Sequence, residues 1–158
     1  MEYLRFNFLF RCFIALSFCF STVVFAKEKA INASKKTKLQ YCLEQAKKHE
    51  EMKTSTEQEY WDNLQKAQDF YLCAEKLGDA YSGYAAAGLS DAGVAKTLPP
   101  EEIKRLYTKA ANAGHHLAAY ELYRTACGSK HQHCDNPVKA EKWLLKAAQS
   151  GDPDTHSS

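Results

Sequence analysis

The densest set of chemically capable side chains is the stretch "CGSKHQHCDN", where Cys127, His131, His133 and Cys134 fall within eight residues. Thiolates and imidazoles are zinc ligands, so four of them in one loop raise the question of a metal centre. The spacing follows no zinc pattern, and four donors from one short loop would all have to converge on one ion. The competing reading is a loop closed by a disulfide, with two histidines turned to water. A second histidine pair, His115 and His116, follows directly on Gly114. Adjacent residues on a helix do not face the same way, so this pair reads as structural. The chain contains no Gly-rich phosphate loop, no serine elbow and no His-Glu-x-x-His string. The residues therefore lead to an expectation of no catalytic set, no metal and no cofactor.

Whether the cysteines pair depends on the compartment, and the first residues bear on that. Arg5 and Arg11 precede a Phe-rich apolar run from Cys12 to Phe25, and Val24 and Ala26 fit the small-residue rule before a cleavage point. Residues 1–26 thus read as a signal peptide cut after Ala26, with an uncleaved anchor as the rival. The apolar run falls short of the roughly 20 residues that a spanning helix needs. Cleavage would remove Cys12 and Cys19 and leave Cys42, Cys73, Cys127 and Cys134, an even set in an exported chain. That reads as two disulfides. Four cysteines allow three pairings, of which Cys127 with Cys134 and Cys42 with Cys73 are favoured. An ideal antiparallel hairpin turning near Thr54 would put Cys73 about one helical turn from Cys42, an offset that a tilted crossing or a longer first helix could remove.

The remainder has 19 basic and 18 acidic side chains once Arg5, Arg11 and Glu2 are set aside. A balance so near neutral argues for neither nucleic acid nor an anionic membrane as partner. Lys27, Lys29, Lys35, Lys36 and Lys38 form a small basic cluster, read as a flexible segment over 27–36.

The elements that must position these residues are set by a repeat. "YLCAEKLG", "YTKAANAG" and "LLKAAQSG" end at Gly78, Gly114 and Gly151, spaced 36 and 37 residues apart. A period of that length marks a stack of helical hairpins. Before each glycine, apolar positions recur in helical phase: Phe70, Tyr71 and Ala74, then Leu106, Tyr107 and Ala110, then Trp143, Leu144 and Ala147. Alanine lets a neighbouring helix come close, and glycine supplies a left-handed stop. Lys109 and Lys146 read as the solvated edge of these helices. After the first two glycines a second pattern begins, with Tyr84 and Tyr120 at matching offsets and small Ser82 and Ala118 two residues before them.

Start signals complete the outline. Thr56 stands three residues before Glu59, a capping box; Pro100 and Pro137 occupy first-turn positions, the latter behind the cap Asn136. The prediction is an all-α chain with helices over about 37–53, 56–77, 79–92, 100–113, 115–127 and 136–150, a helical-repeat domain over 37–151, and a disordered tail over 152–158.

"LYTKAANAGHHLAAYEL" and "AEKWLLKAAQSGDPD" resemble Sel-one-like repeats, relatives of tetratricopeptide repeats that pair an aromatic-led Lys-Ala-Ala helix with a following Tyr-containing helix. The resemblance covers about 65–153. It departs from the family at Tyr123, where a glycine is usual, and at His116, where alanine is usual. It implies a short right-handed α-solenoid of about three helix pairs, whose concave face is lined by the helices after each glycine. The side chains of that face that do not match packing positions are Tyr81, Ala85, Leu117, Glu121 and Arg124. Tyr and Arg are frequent interface anchors; the competing role for Tyr81 and Leu117 is to fill the groove between pairs.

The resemblance implies a non-enzymatic module in the periplasm or secreted space that binds another protein, as an adaptor or as an inhibitor that neutralises a toxin. A structural helper of an envelope assembly is the second reading. Cysteine-rich relatives linked to penicillin binding and weak β-lactam hydrolysis give a third, although no cysteine falls within 79–113 and nothing matches a serine nucleophile with its lysine. The last helix cannot bury both Trp143 and Leu144 easily, so self-association there is a further expectation.

Overall fold

A computed structural model describes residues 27–127, 134 and 136–149. The expected signal segment 1–26, His131, His133, Gly151 and the tail 152–158 lie outside the described residues. The chain divides into two compact units, Met1–Lys38 and Leu39–Ser158.

In the first unit, residues 27–38 are helical and exposed, and the Thr37 hydroxyl donates to the Ala33 carbonyl at 3.1 Å. The basic segment 27–36, expected as flexible, has helical backbone here. Lysine, glutamate and alanine are all good helix formers, and their charge does not prevent an exposed helix from forming.

The second unit is all-α: α1 (39–50), α2 (Glu57–Lys76), α3 (Ala80–Asp91), α4 (Pro100–Asn112), α5 (His116–Cys127) and α6 (Pro137–Gln149). Among the described residues there is no strand. From α2 onward each helix packs on its neighbour in sequence, the arrangement of a short α-solenoid of helix pairs. The core joins Ala87, Leu98, Leu106, Tyr107, Ala110, Ala111, Ala118, Ala119, Leu122 and Ala147. Alanine predominates because these helices meet backbone to backbone, where a larger side chain would push them apart.

Sequence signals account for the ends. Thr56 Oγ1 accepts from Glu59 N at 3.2 Å, while the Glu59 carboxylate turns back to Ser55 N at 3.0 Å, so the capping box closes one residue early. Asn136 Oδ1 accepts from Lys139 N at 3.0 Å. Asp79 caps α3 through Ser82 N at 2.9 Å, a cap that "GDAY" signals but that the reading above passed over. Gly78 and Gly114 have φ of +113° and +100°, the left-handed stop that their position required.

Both favoured disulfides are present, Cys42–Cys73 and Cys127–Cys134. The first ties α1 to α2 with Cα atoms 6.1 Å apart. Cys42 lies eight residues before the end of α1 and Cys73 sixteen after the start of α2, a stagger of about 12 Å at helical rise. The six-residue connection 51–56 absorbs it. Tyr41 and His49 flank the bridge, each with its ring against Phe70.

Lys109 and Lys146 are half-exposed, as an edge would be, but both are engaged rather than merely solvated. Lys109 Nζ donates to the Glu75 carboxylate at 2.6 Å and to the Glu75 carbonyl at 3.1 Å; Lys146 Nζ donates to Asn112 Oδ1 at 2.7 Å. Cys73, Lys109 and Lys146 each stand five residues before their glycine. One repeat position thus clasps each pair to the one before it, as a disulfide, then an ion pair, then a hydrogen bond.

The Glu75 clasp is the buried one. Its side chain is 4% exposed and also takes Arg105 Nη1 at 3.0 Å. Gly83 makes room above it, since a Cβ there would stand 3.2 Å from Glu75 Cγ and 3.3 Å from Leu106 Cδ2. Burial raises the Glu75 carboxyl, but hydrogen bonds from Arg105 and Lys109 outweigh it and hold the group below its ordinary value. Gln68, fully buried, donates to the carbonyls of Ala86 and Lys96 at 3.1 and 3.0 Å, and Ser90 Oγ accepts from Leu98 N at 2.8 Å. These two side chains, through three hydrogen bonds, fix α3 and the 92–99 connection against their neighbours.

Candidate interaction face

The helices that follow Gly78 and Gly114, α3 and α5, carry the residues singled out as a binding face. Ser82, Ala86 and Ala87 of α3 and Ala118, Ala119 and Leu122 of α5 are buried, which sets the inner side of each helix. The rest of the helical phase then turns outward. Tyr81 is 52% exposed and Leu117 41% exposed; Ala85 and Glu121 are half-buried and Arg124 is exposed.

Long side chains join the two helices across this side. The His115 ring lies between Tyr84, with centroids 4.1 Å apart, and Tyr81, at 4.9 Å. Tyr84 also meets the Tyr107 ring of α4 at 5.8 Å. The Tyr107 hydroxyl donates to Asp91 Oδ2 at 3.1 Å, and the Arg124 guanidinium reaches the same oxygen at 3.8 Å. Arg124 holds Glu121 Oε2 with two nitrogens, at 2.7 and 2.6 Å. Four of the five expected residues thus enter one arrangement, Tyr81 through His115 and the Glu121–Arg124 pair through Asp91, with Leu117 on the same side of α5. Ala85 makes no polar contact and serves as low ground beside Tyr81.

The sequence reading had not placed Tyr84, His115, Tyr107 and Asp91 here. The signal for His115 was its position as the residue before α5: its Nδ1 accepts from Ala118 N at 3.4 Å, which places the ring over α3. Nδ1 must be unprotonated to accept. Burial, then the neighbouring His116, lowers the His115 pKa and favours that neutral state. Tyr84 and Tyr107 are pushed the other way, chiefly by burial and then by the charges of Glu121 and Asp91. Both rings therefore sit in a negative field.

The other outward side belongs to α4, where Glu101, Lys104, Arg105, Thr108, Lys109 and Asn112 line a shallow open depression. Arg105 is held there by Glu102 as well as Glu75. On α6 the Trp143 ring packs half-buried against the core, while Leu144, Leu145 and Val138 are exposed, so Trp143 is the member of its pair that faces inward. Among the described residues no group of His, Cys, Asp and Glu is placed to hold a metal ion, and no helix is long and apolar enough to cross a membrane. No family model, no curated protein and no solved structure matches the chain.

Proposed function

We propose that the chain is an exported, disulfide-bonded Sel-one-like repeat module that binds another protein through the α3/α5 face, as an adaptor or as an inhibitor of the toxin-neutralising kind. The observation that carries this reading is the exposure of Tyr81 and Leu117 on two helices whose inner sides are set by buried small residues, Ser82, Ala86 and Ala87 on one and Ala118 and Ala119 on the other. A rigid base under exposed aromatic and aliphatic anchors loses little entropy on binding, which favours recognition. Two disulfides fit an oxidising compartment, and the periplasm after cleavage near Ala26 is the location this reading adopts. No catalytic step and no cofactor enter it, and nucleic acid and membrane are not its partners.

Photo-crosslinking tests it. A benzoylphenylalanine at position 81 or 117, in the oxidised chain expressed in its host, is expected to trap one discrete protein, with a control at position 104 silent. Equal trapping at 104, or none at 81 and 117, would remove the reading. A structural helper of an envelope assembly is the second reading, and the exposed Val138, Leu144 and Leu145 of α6 favour it, because they suit self-association or a neighbouring subunit. Labelled penicillin failing to bind the oxidised chain would dispose of the enzymatic third.

A further inference from the structure

His115 stands where α3, α4 and α5 meet. Its backbone N donates to the Ala110 carbonyl of α4 at 3.0 Å, and its own carbonyl accepts from Ala119 N of α5 at 3.3 Å. Its ring lies between Tyr84, with centroids 4.1 Å apart, and Tyr81 at 4.9 Å, both from α3. Its Nδ1 accepts from Ala118 N at 3.4 Å. The Tyr81 hydroxyl in turn lies 3.9 Å from where a Cβ on Gly114 would stand, so this exposed ring crosses the turn between α4 and α5. One imidazole therefore caps α5 and fills the space between that helix and α3.

The joint needs a neutral imidazole. A protonated Nδ1 would point its N–H at the N–H of Ala118, donor against donor. The new charge would also sit at the start of α5, the positive end of the helix dipole. Burial, then the neighbouring His116, disfavour that charge and lower the His115 pKa. The tyrosine rings would attract a cation, so the direction of the shift marks burial as the stronger influence. The titratable groups facing the ring are Tyr81 and Tyr84 from α3 and His116 from α5 itself. From α4 it meets the Ala110 carbonyl, with Tyr107 behind Tyr84 at 5.8 Å. Tyrosine hydroxyls ionise near pH 10, so they keep their charge state through the acid range.

We infer that His115 is a proton-operated latch on the α3/α5 face: neutral, it caps α5 and holds Tyr81 in place; protonated, it leaves Ala118 N, and Tyr81 loses its support. The folded pKa lies below the unfolded value, so the latch is closed above about pH 6.5 and opens as pH falls through the folded value. Its use rests on the interaction reading above: a partner held against Tyr81 and Leu117 at neutral pH is released in acid.

The test uses the oxidised full chain, labelled for NMR, from about pH 8 to about pH 4.5, a range that stays above the ordinary glutamate value. One transition below about pH 6.5 is expected, shared by the His115 ring, the Ala118 amide and the Tyr81 ring. Below it, nuclear Overhauser contacts between the His115 and Tyr81 rings should vanish. Protection of the Ala118 amide from exchange should fall about fivefold, the worth of one hydrogen bond. His115→Asn supplies a cap that does not titrate and should abolish the transition. His116→Gln should keep it and raise its midpoint, because the neighbouring charge is gone. Crosslinking through benzoylphenylalanine at position 117 should fall across the same midpoint in the parent and stay level in His115→Asn.

No transition at His115 in this range, a transition at Ala118 and Tyr81 that survives His115→Asn, or rings that stay in contact once His115 is protonated would each overturn the latch. Capture at position 117 that ignores the transition would overturn the release of a partner. Absence of capture at every pH would remove the interaction reading, and the NMR transition would still decide the latch by itself. Spectra of both variants that match the parent at neutral pH away from His115 exclude unfolding as the cause.

Discussion

Replacing Lys109 by methionine keeps the apolar stem but removes both hydrogen bonds to Glu75. Because the Glu75 side chain is 4% exposed, water cannot take over the vacated position on its carboxylate. A hydrogen bond to a charged group contributes about 1.5–3 kcal/mol. Arg105 stays on Oε1 at 3.0 Å, so the loss should stop short of the 3–5 kcal/mol that follows full unpairing of a buried charge. Lys109→Met is therefore expected to destabilise by about 2 kcal/mol, read as a lower urea midpoint with unchanged slope. The sharper outcome is the double variant Glu75→Met/Lys109→Met. It leaves no carboxylate buried without its lysine, so it should be more stable than Lys109→Met alone. If Lys109→Met lies within 0.5 kcal/mol of the parent, or if the double variant is the less stable of the two, the clasp is not what joins α4 to α2.

The same carboxylate sets an acid limit. Its folded pKa lies below its unfolded value, so its contribution is complete above about pH 4.3 and is lost as pH falls through the folded pKa; Lys109→Met should flatten that decline in a urea series taken from pH 6 to pH 2. His115 also has a lowered pKa, so its contribution is present above about pH 6.5 and falls away as pH drops through the folded value, which an NMR titration of its ring should place below that of an exposed histidine. Replacing Cys42 and Cys73 by serine opens a 31-residue separation and should cost about 3.7 kcal/mol on the loop-entropy model, against about 2.4 for the 7-residue Cys127–Cys134 bridge, compared by thermal melts. Gly114→Ala forces a side chain into φ of +100° and sets its Cβ 3.9 Å from the Tyr81 hydroxyl; a cost of at least about 1 kcal/mol is expected, with shifts at Tyr81 in the amide spectrum.

The fold was legible because its signals are local. Glycines at a fixed period, alanines in helical phase and caps such as Thr56 and Asn136 act within a few residues, and α2 to α6 each lie within a few residues of their expected spans. The cysteine pairing was legible for a similar reason, since four cysteines allow only three pairings. The clasp was not. Lys109 has the composition of a solvent-facing residue, and only the three-dimensional approach of Glu75, 34 positions earlier, turns it inward. Helix over residues 27–36 was not read from the sequence, because a lysine-rich stretch has no buried stripe to set a helical period, whereas charge spread along an exposed helix is well solvated. On the two helices that the resemblance singled out, the exposure of Tyr81, Leu117 and Arg124 followed from helical phase. His115 and Asp91 did not, because each meets its partners, Tyr81 and Tyr84 for the one and Tyr107 and Arg124 for the other, only when two helix pairs are stacked.

The repeat position five residues before each glycine has one further consequence. Cys73, Lys109 and Lys146 hold successive pairs with bonds that different agents break: a reductant for the first, acid for the second, and competing water alone for the exposed third. Resistance to opening therefore grades along the molecule, and amide exchange should run fastest in α6 and slowest beside Cys73. A reductant would open Cys42–Cys73 at one end and Cys127–Cys134 just before α6 at the other, while leaving the Glu75 ion pair between them intact. An oxidising space therefore holds both ends, and a reducing one leaves the middle of the stack as its firmest part.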